Sequence, residues 1–325
     1  MNMQRMVDYL AKTSNPVQLV KHMDEVPESK IKYPLIAQKK FDGLYVLTVI
    51  TRDSIRFFSR TGKEYYQELG TWLPNYSELT DGVYIGELCN DAIELEVLAG
   101  YVSTNRKKQW SDDDCYLMKH TYIMFHDYLT LEELLDGHSG TPYRNRYSNL
   151  ENRLRNAGIL EYIVESKLIY DREHADAYTE NLISQGSEGA VFKDPNADWE
   201  AGHKGYRSMK IVRGLHVDLL CVGVEYGKGK RTGQIAKLQF SYKGNVFTAD
   251  LGKGWTDEKR IKLTQDYEYY EQAINDNGFT TTYKKHLTPV NQIWEVKALQ
   301  ESSTGKALRL PKVVRVREDK ETPDA

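Results

Sequence analysis

Apolar positions come in short, strand-like runs over residues 34–129. LIAQ (35–38), LYVLTVI (44–50) and IRFFSR (55–60) predict three strands, the last two joined across Thr51, Arg52, Asp53 and Ser54. VYIGELC (83–89) and YIMFHDYL (122–129) are two further apolar runs and predict buried strands. The spacing lengthens to that of a helix over 144–157 and 172–185, and strand patterns return at AVFKD (190–194) and SMKIV (208–212).

After Arg213 and Gly214 the pattern changes. LLCVGVEYG (219–227), AKLQFSY (236–242), NVFTADLG (245–252) and QIWEVKAL (292–299) predict short strands, with Lys243, Gly244 and Asn245 as a hairpin tip. One helix is expected from about Thr256, with Asp257 and Glu258 in its first turn. Short strands around one helix suit a small barrel such as an OB-fold. The expected fold class is therefore α+β. A larger domain, 1–213, with antiparallel sheets and flanking helices precedes a small OB-fold β-barrel domain, 214–325.

Composition narrows the setting. A chain of 325 residues, 40% hydrophobic, suffices for one large or two medium cores. No run of 18 apolar residues occurs, which excludes a spanning helix. The first residues hold neither an apolar stretch nor a small-residue cleavage pattern, so no secretory leader is expected. Cys89, Cys115 and Cys221 are scattered and odd in number, fitting neither a disulfide framework nor a zinc site. A soluble, intracellular, reduced protein is expected. The net charge of −3 excludes a uniformly basic coat but not a local one. Lys204, Arg207, Lys210 and Arg213 stand together with no acid between them. Lys228, Lys230, Arg231 and Lys237 follow, and the tail carries Arg309, Lys312, Arg315, Arg317 and Lys320. Three such clusters in one half of the chain point to a polyanion-binding face.

The most informative stretch is Ala37-Gln38-Lys39-Lys40-Phe41-Asp42-Gly43. A lysine leaving a strand, followed by an acid and a glycine turn, presents an amine into a pocket. Alone, K-x-D-G reads more readily as a charged β-turn. Here it is followed in order by Ser59-Arg60-Thr61-Gly62, Gly86-Glu87-Leu88 and His126-Asp127. Then come Glu188-Gly189-Ala190-Val191-Phe192-Lys193, Met209-Lys210-Ile211, Arg309-Leu310-Pro311 and Arg317-Glu318-Asp319-Lys320. This ordered set resembles the covalent nucleotidyltransferase superfamily of DNA ligases, RNA ligases and mRNA capping enzymes. Within it, the set is most similar to small ATP-dependent DNA ligases of the bacteriophage type. The resemblance runs from about Leu35 to Lys320.

The resemblance implies that the larger domain is a nucleotidyltransferase (adenylation) domain and that Lys40 becomes covalently linked to AMP. An unperturbed lysine stays protonated up to about pH 10.4, so neutralising it near pH 7 costs roughly 4 kcal/mol. Desolvation and nearby cations offset such a cost, with Lys193, Lys210 and a bound Mg²⁺ as the candidates. Lys39 is the competing nucleophile, set aside by the K-x-D-G register and by alternation along the strand. Glu87 would contact the ribose and assist the metal, and Glu188 would hold the metal. Lys193 and Lys210 would clamp the α-phosphate. The side chain or backbone of Gln38 would read the adenine amino group, and Arg60 would contact the nucleotide and later the nick phosphate. Arg317 and Lys320, with Asp319, would orient the pyrophosphate leaving group. The implied cofactors are ATP and Mg²⁺ or another divalent cation. The implied partner is nicked duplex DNA, sealed by a monomer without a membrane.

Three departures from the family pattern stand out. Tyr45 occupies the place of an arginine that usually contacts the ribose. His126 stands where an aromatic ring normally stacks on adenine, with Phe125 as the fallback. Val212 replaces a second lysine after Lys210, a charge that Arg213 would restore. An RNA ligase or RNA-repair nucleotidyltransferase is the alternative, and the ending over 309–320 favours DNA. An mRNA guanylyltransferase would be told apart by its use of GTP. A degenerate binding module is opposed by the retention of Lys40, Glu87, Glu188 and Lys193. With only 39 residues before Lys40, no separate N-terminal DNA-binding domain is expected.

Overall fold

The structure is a computed structural model that describes residues 3–106, 108–252, 254–277 (backbone only from 273), 288–298, 301–302 and 304–325. The sequence reading at Leu299 lies outside the described residues. The chain divides into two compact units, Met1–Val212 and Arg213–Ala325.

The first unit is built on two sheets. One has four antiparallel strands in the order β4 (Ser54–Ser59), β3 (Leu44–Thr51), β5 (Gly82–Asn90), β6 (Thr121–Leu129). Strand alternation sorts its side chains onto two faces. Val46, Ile50, Phe57, Tyr84, Leu88, Ile123 and Phe125 pack on one side. There they meet Leu98 of α2 (Leu95–Tyr101), Met118 of α3 (Asp112–Met118), and Leu150 and Leu154 of α5 (Tyr143–Asn156). Leu47, Val49, Phe58, Val83, Ile85 and Leu129 face the other way, onto α1 (Met3–Lys12) and α4 (Leu131–Asp136). The sheet is thus buried on both faces. That explains why its strands read as near-continuous apolar runs.

The second sheet has five strands in the order β1 (Leu19–His22), β11 (Lys204–Val212), β9 (Gly189–Lys193), β2 (Leu35–Lys40), β8 (Ser166–Ile169). It is covered by α6 (Arg172–Ser184) through Ala175 and Leu182. A short ladder joins β7 (His138–Ser139) to β10 (Trp199–Glu200). The hinge of chemistry is β2. Both β9 and β8 pair with it, so Gln38 lies opposite Val191 and Lys40 opposite Gly189.

The second unit is a closed five-stranded barrel in the order β12 (Leu215–Tyr226), β13 (Ile235–Tyr242), β14 (Asn245–Leu251), β16 (Lys312–Val316), β15 (Ile293–Ala298). Lys243 and Gly244 both have positive φ, 47° and 75°, the geometry of a tight turn, so the expected hairpin tip is present. The helix α7 (Asp257–Asn277) follows β14. The C-terminal segment is not a fraying tail. Residues Lys312–Val316 close the barrel by pairing with β14 in parallel and β15 antiparallel. The α1 to α4 helices and the strands β1, β7, β8, β10 and β16 went unpredicted; all are short, although α1 carries a clear apolar stripe at Met3, Met6, Val7 and Leu10.

Candidate active site

A cavity of about 650 Å³ opens in the first unit, and strands of both sheets reach it. Gln38, Lys40, Arg60, Glu87, His126, Lys193 and Lys210 all line it. Residues spread over 173 positions of sequence, from 38 to 210, are therefore brought to one place.

Alternation along β2 directs Gln38 and Lys40 to one side. Gln38 is buried and its amide donates to the Val164 carbonyl at 3.3 Å. The Lys40 ammonium donates to Glu188 Oε2 at 2.6 Å. Lys39 is exposed, and its Nζ lies 4.9 Å from the centre of the Phe41 ring. Gly189, opposite Lys40, has φ +148°, and a Cβ there would meet the Ile211 carbonyl oxygen at 2.2 Å. Only glycine lets β9 run this close to β11 while following Glu188.

Glu87 lies within β5, three residues before its end. It is paired across the ladder with Tyr45. Burial pushes its carboxyl up to about 8, Lys40 opposes that rise and the Glu188 carboxylate adds to it. The same burial, with Asp127 and Glu87 close by, holds the Tyr45 phenol well above its ordinary value and neutral. Tyr45 thus fills the family's arginine position with an uncharged ring, packed edge-on to His126 at 6.2 Å.

His126 owes its direction to an irregularity. Ile85 pairs with Asp127 but Gly86 pairs with Phe125, so His126 is an extra residue in β6, a bulge that re-aims its side chain. It lines the cavity, whereas Phe125 is fully buried between Tyr76 and Tyr84. Phe125 is excluded as the fallback. Lys193 Nζ is 3.1 Å from His126 Nδ1 and 3.3 Å from its carbonyl oxygen. An ammonium only donates, so Nδ1 accepts and the imidazole proton sits on Nε2. Burial and the Lys193 charge push the imidazole down to about 3. Burial likewise lowers Lys193 to about 8, against the pull of Asp127.

Beneath these groups lies a buried ion pair that sequence reading missed. Arg146 grips Asp127 with two hydrogen bonds, 2.9 and 3.1 Å, and both side chains are almost fully buried. Although burial opposes ionisation, Arg146 and Lys193 hold Asp127 below its ordinary range. Tyr143, from the same helix, donates to the His126 carbonyl at 2.8 Å and presents its ring 4.3 Å from Lys193 Nζ.

On β11 the even positions Lys204, Ser208 and Lys210 line the cavity. Burial and Lys40 lower the Lys210 ammonium, with Glu188 opposing. Val212 is absent from the lining, and Arg213 begins the second unit. Lys204 is the second cation on this face of the strand; the parity of 204 and 210 was the available signal. Arg317 and Lys320 lie in the second unit, where both pair with Asp218.

Comparisons with known proteins agree with this architecture. Residues 10–211 match the ATP dependent DNA ligase domain family. A DNA ligase of Methanopyrus kandleri is 28% identical over 204 residues, 61% of this chain and 35% of that protein. A probable DNA ligase of Koribacter versatilis is 22% identical over 311 residues, 88% of this chain and 54% of that protein. The chain thus spans from about a third to just over half of the length of these relatives. Among solved structures, one of the Lig E DNA ligases superposes with a TM-score of 0.65 at 16% identity, covering 93% of this chain and 98% of the other. The ATP-dependent DNA ligase of bacteriophage T7, in complex with ATP, superposes with a TM-score of 0.50 at 17% identity, covering 94% and 99%. Both likenesses extend over adenylation and OB-fold domains alike, so the fold is α+β, an adenylation fold followed by an OB-fold barrel.

Proposed function

The chain belongs to the ATP-dependent DNA ligase domain family, and on that premise we propose that it is an enzyme that seals 5′-phosphate/3′-hydroxyl nicks in duplex DNA at the expense of ATP. The observation that carries this reading is the setting of Lys40. It faces a cavity shared with the buried Lys193, the half-buried Lys210, two carboxylates and a histidine ring, while its neighbour Lys39 is exposed.

The reaction has three steps. The Lys40 amine, deprotonated and released from Glu188, attacks the α-phosphorus of ATP; a P–N bond forms and pyrophosphate leaves. An oxygen of the 5′-phosphate then attacks the same phosphorus, the P–N bond breaks and AMP moves to the DNA. Finally the 3′-hydroxyl loses its proton, attacks the activated 5′-phosphate and expels AMP. Lys193 and Lys210 stabilise charge on the α-phosphate. The two lysines also disfavour a further positive charge nearby. His126 supports the adenine face and Gln38 meets its edge. Arg60 contacts the nucleotide and afterwards the nick phosphate, and Glu87 reaches the ribose.

Glu87 and Glu188 fit a divalent cation. They are two carboxylates near one lysine, and the proximity of Glu188 to the buried Glu87 raises the latter, a strain that a cation relieves. Mg²⁺ takes one or two carboxylates and completes its shell with phosphate and water oxygens. When bound it would neutralise phosphate charge during attack. Within the second unit, Arg317 and Lys320 are the groups assigned to the pyrophosphate, and the barrel is assigned to DNA. No helix among the described residues is long and apolar enough to cross a membrane, and we place the enzyme in the cytoplasm.

The test is incubation with labelled ATP or GTP and Mg²⁺, followed by denaturing electrophoresis and by sealing of nicked DNA and nicked RNA. Label retained from ATP, with DNA sealed, is the expected result. Label retained from GTP, or sealing of RNA alone, overturns the assignment.

A further inference from the structure

Arg317 and Lys320 stand within a five-membered cluster in the second unit. Arg317 Nη1 donates to Asp218 Oδ2 at 2.5 Å, and its Nε and Nη2 grip Asp319 at 2.8 and 2.7 Å. Lys320 Nζ lies 2.6 Å from the same Asp218 Oδ2 and 2.8 Å from Asp324 Oδ1. Asp324 is tied to Asp218 through the backbone as well. Its N–H donates to the Asp218 carbonyl at 2.7 Å, and its Oδ2 accepts from the Asp218 N–H at 2.8 Å.

Three carboxylates here face two cations. A polyphosphate approaching this cluster meets a net negative charge, so a carboxylate has to give way before its oxygens reach Arg317 and Lys320. The three acids differ in their freedom to do so. The Asp218 side chain is 8% exposed and set on β12, inside the barrel wall. Asp319 and Asp324 are 65% and 45% exposed. Asp319 holds Arg317 with two parallel bonds, the stronger arrangement. Asp324 holds Lys320 with one, through Oδ1, so that bond can exchange while the Asp324 N–H and Oδ2 stay tied to the Asp218 backbone.

We propose that Asp218 is a positioning residue that fixes Arg317 and Lys320 side by side, and that Asp324 is an exchangeable counter-ion whose place on Lys320 a polyphosphate oxygen takes. The inference rests on the reading of Arg317 and Lys320 as leaving-group residues. It adds the fixed anchor and the internal competitor, which that reading does not contain.

The two acids then act in opposite directions. The experiment measures single-turnover self-adenylylation against ATP concentration in the full chain, beside sealing of a nick that already carries AMP. Asp218→Asn loses the shared anchor and should raise the ATP KM at least about tenfold. Asp324→Asn frees a donor of Lys320 and should lower the KM roughly twofold to fivefold. Neither should change sealing of the pre-adenylylated nick. Inorganic pyrophosphate, added as a product inhibitor, should follow the same order, weaker with Asp218→Asn and stronger with Asp324→Asn. A KM shifted upward in both variants, or unshifted in Asp218→Asn, overturns the proposal. Should Asp218→Asn fail to fold, a KM in Asp324→Asn that is equal to or above the unmodified value overturns it alone. Arg317→Ala separates the two levels. If that variant slows both steps equally, the leaving-group reading fails; if it slows the first alone while the aspartate variants miss their signs, only the present inference fails.

Discussion

Lys39 and Lys40 are chemically identical and adjacent and both border the cavity, yet Lys39 is exposed and lies over Phe41 whereas Lys40 is half-buried and meets Glu188. Lys40→Ala should abolish self-adenylylation but still seal a nick that already carries AMP, because only the first two steps need the amine. Lys39→Ala should keep most activity. Gel assays of both steps check the pair, and reversed behaviour sinks the assignment. Lys193 supplies a pH dependence with a definite sign. Its ammonium, lowered to about 8 by burial, is charged below that pH and neutral above it. Phosphate binds the charged form, so ATP affinity should fall as pH rises from 7 to 9.5, approaching tenfold per pH unit above 8. Equilibrium binding to the Lys40→Ala variant measures this without turnover; a flat profile removes Lys193 from the phosphate clamp. At this scale the sequence was highly legible, since every residue assigned to the first unit either lines the cavity or pairs with one that does. What it hid were partners whose role depends on burial. Arg146 looks like any helical arginine until its guanidinium is found beneath Asp127.

Strands were legible because β3, β5 and β6 are buried on both faces, which leaves dense apolar runs. Register was not. The bulge at His126 comes from one unpaired residue between Phe125 and Asp127, and no local signature marks it. The short helices α2 to α4, six or seven residues each, were missed because pieces of this length become helical through packing. In α1, by contrast, Met3, Met6, Val7 and Leu10 form a helical apolar stripe that was legible and overlooked. Two predictions belong to elements. Arg146→Ala leaves Asp127 charged and buried without its partner, and should destabilise the first unit by roughly 3–5 kcal/mol, whereas Asp127→Asn with Arg146→Met should cost less. Urea unfolding of the two variants decides between a structural brace and a surface pair. Gly189→Ala should displace β9 from β11, since its Cβ would fall 2.2 Å from the Ile211 oxygen. Because Gly189 pairs with Lys40, adenylylation should fall with stability. Unchanged adenylylation in this variant would show that β2 holds Lys40 without β9.

For the whole molecule, the basic clusters seen in the sequence do not count equally once folded. Arg207 is held by Asp198 at 2.7 Å and by Glu200 at 2.5 Å, so its charge is already answered within the protein. Lys228 caps a short 3-10 turn before β13, Lys230 lies within it, and both are exposed. Nick affinity should therefore fall steeply with salt despite the net charge of −3. Each phosphate contact contributes about −0.9 to the slope of log affinity against log salt. Lys228→Ala or Lys230→Ala should each flatten the slope by about one contact, while Arg207→Ala should leave it unchanged. Titrations between low and moderate salt measure all three; a slope insensitive to Lys228 and Lys230 would move the DNA surface elsewhere.

The strand order of the barrel has a consequence for how the protein is made. On a ribosome the first unit emerges entire before the second begins, and domains fold as units in that order. The barrel has no such freedom. Strand β16 sits between β14 and β15, so these two, though synthesised earlier, have no edge to share until Val316 has been added. Until then β14 presents an unpaired edge, the kind that recruits foreign strands. The next residue in the chain is Arg317, and Lys320 follows three positions later. Completion of the barrel and arrival of the cations assigned to the leaving group are thus nearly one event in time. A chain interrupted before that point carries an assembled cavity in its first unit and an open sheet in its second, and holds neither cation.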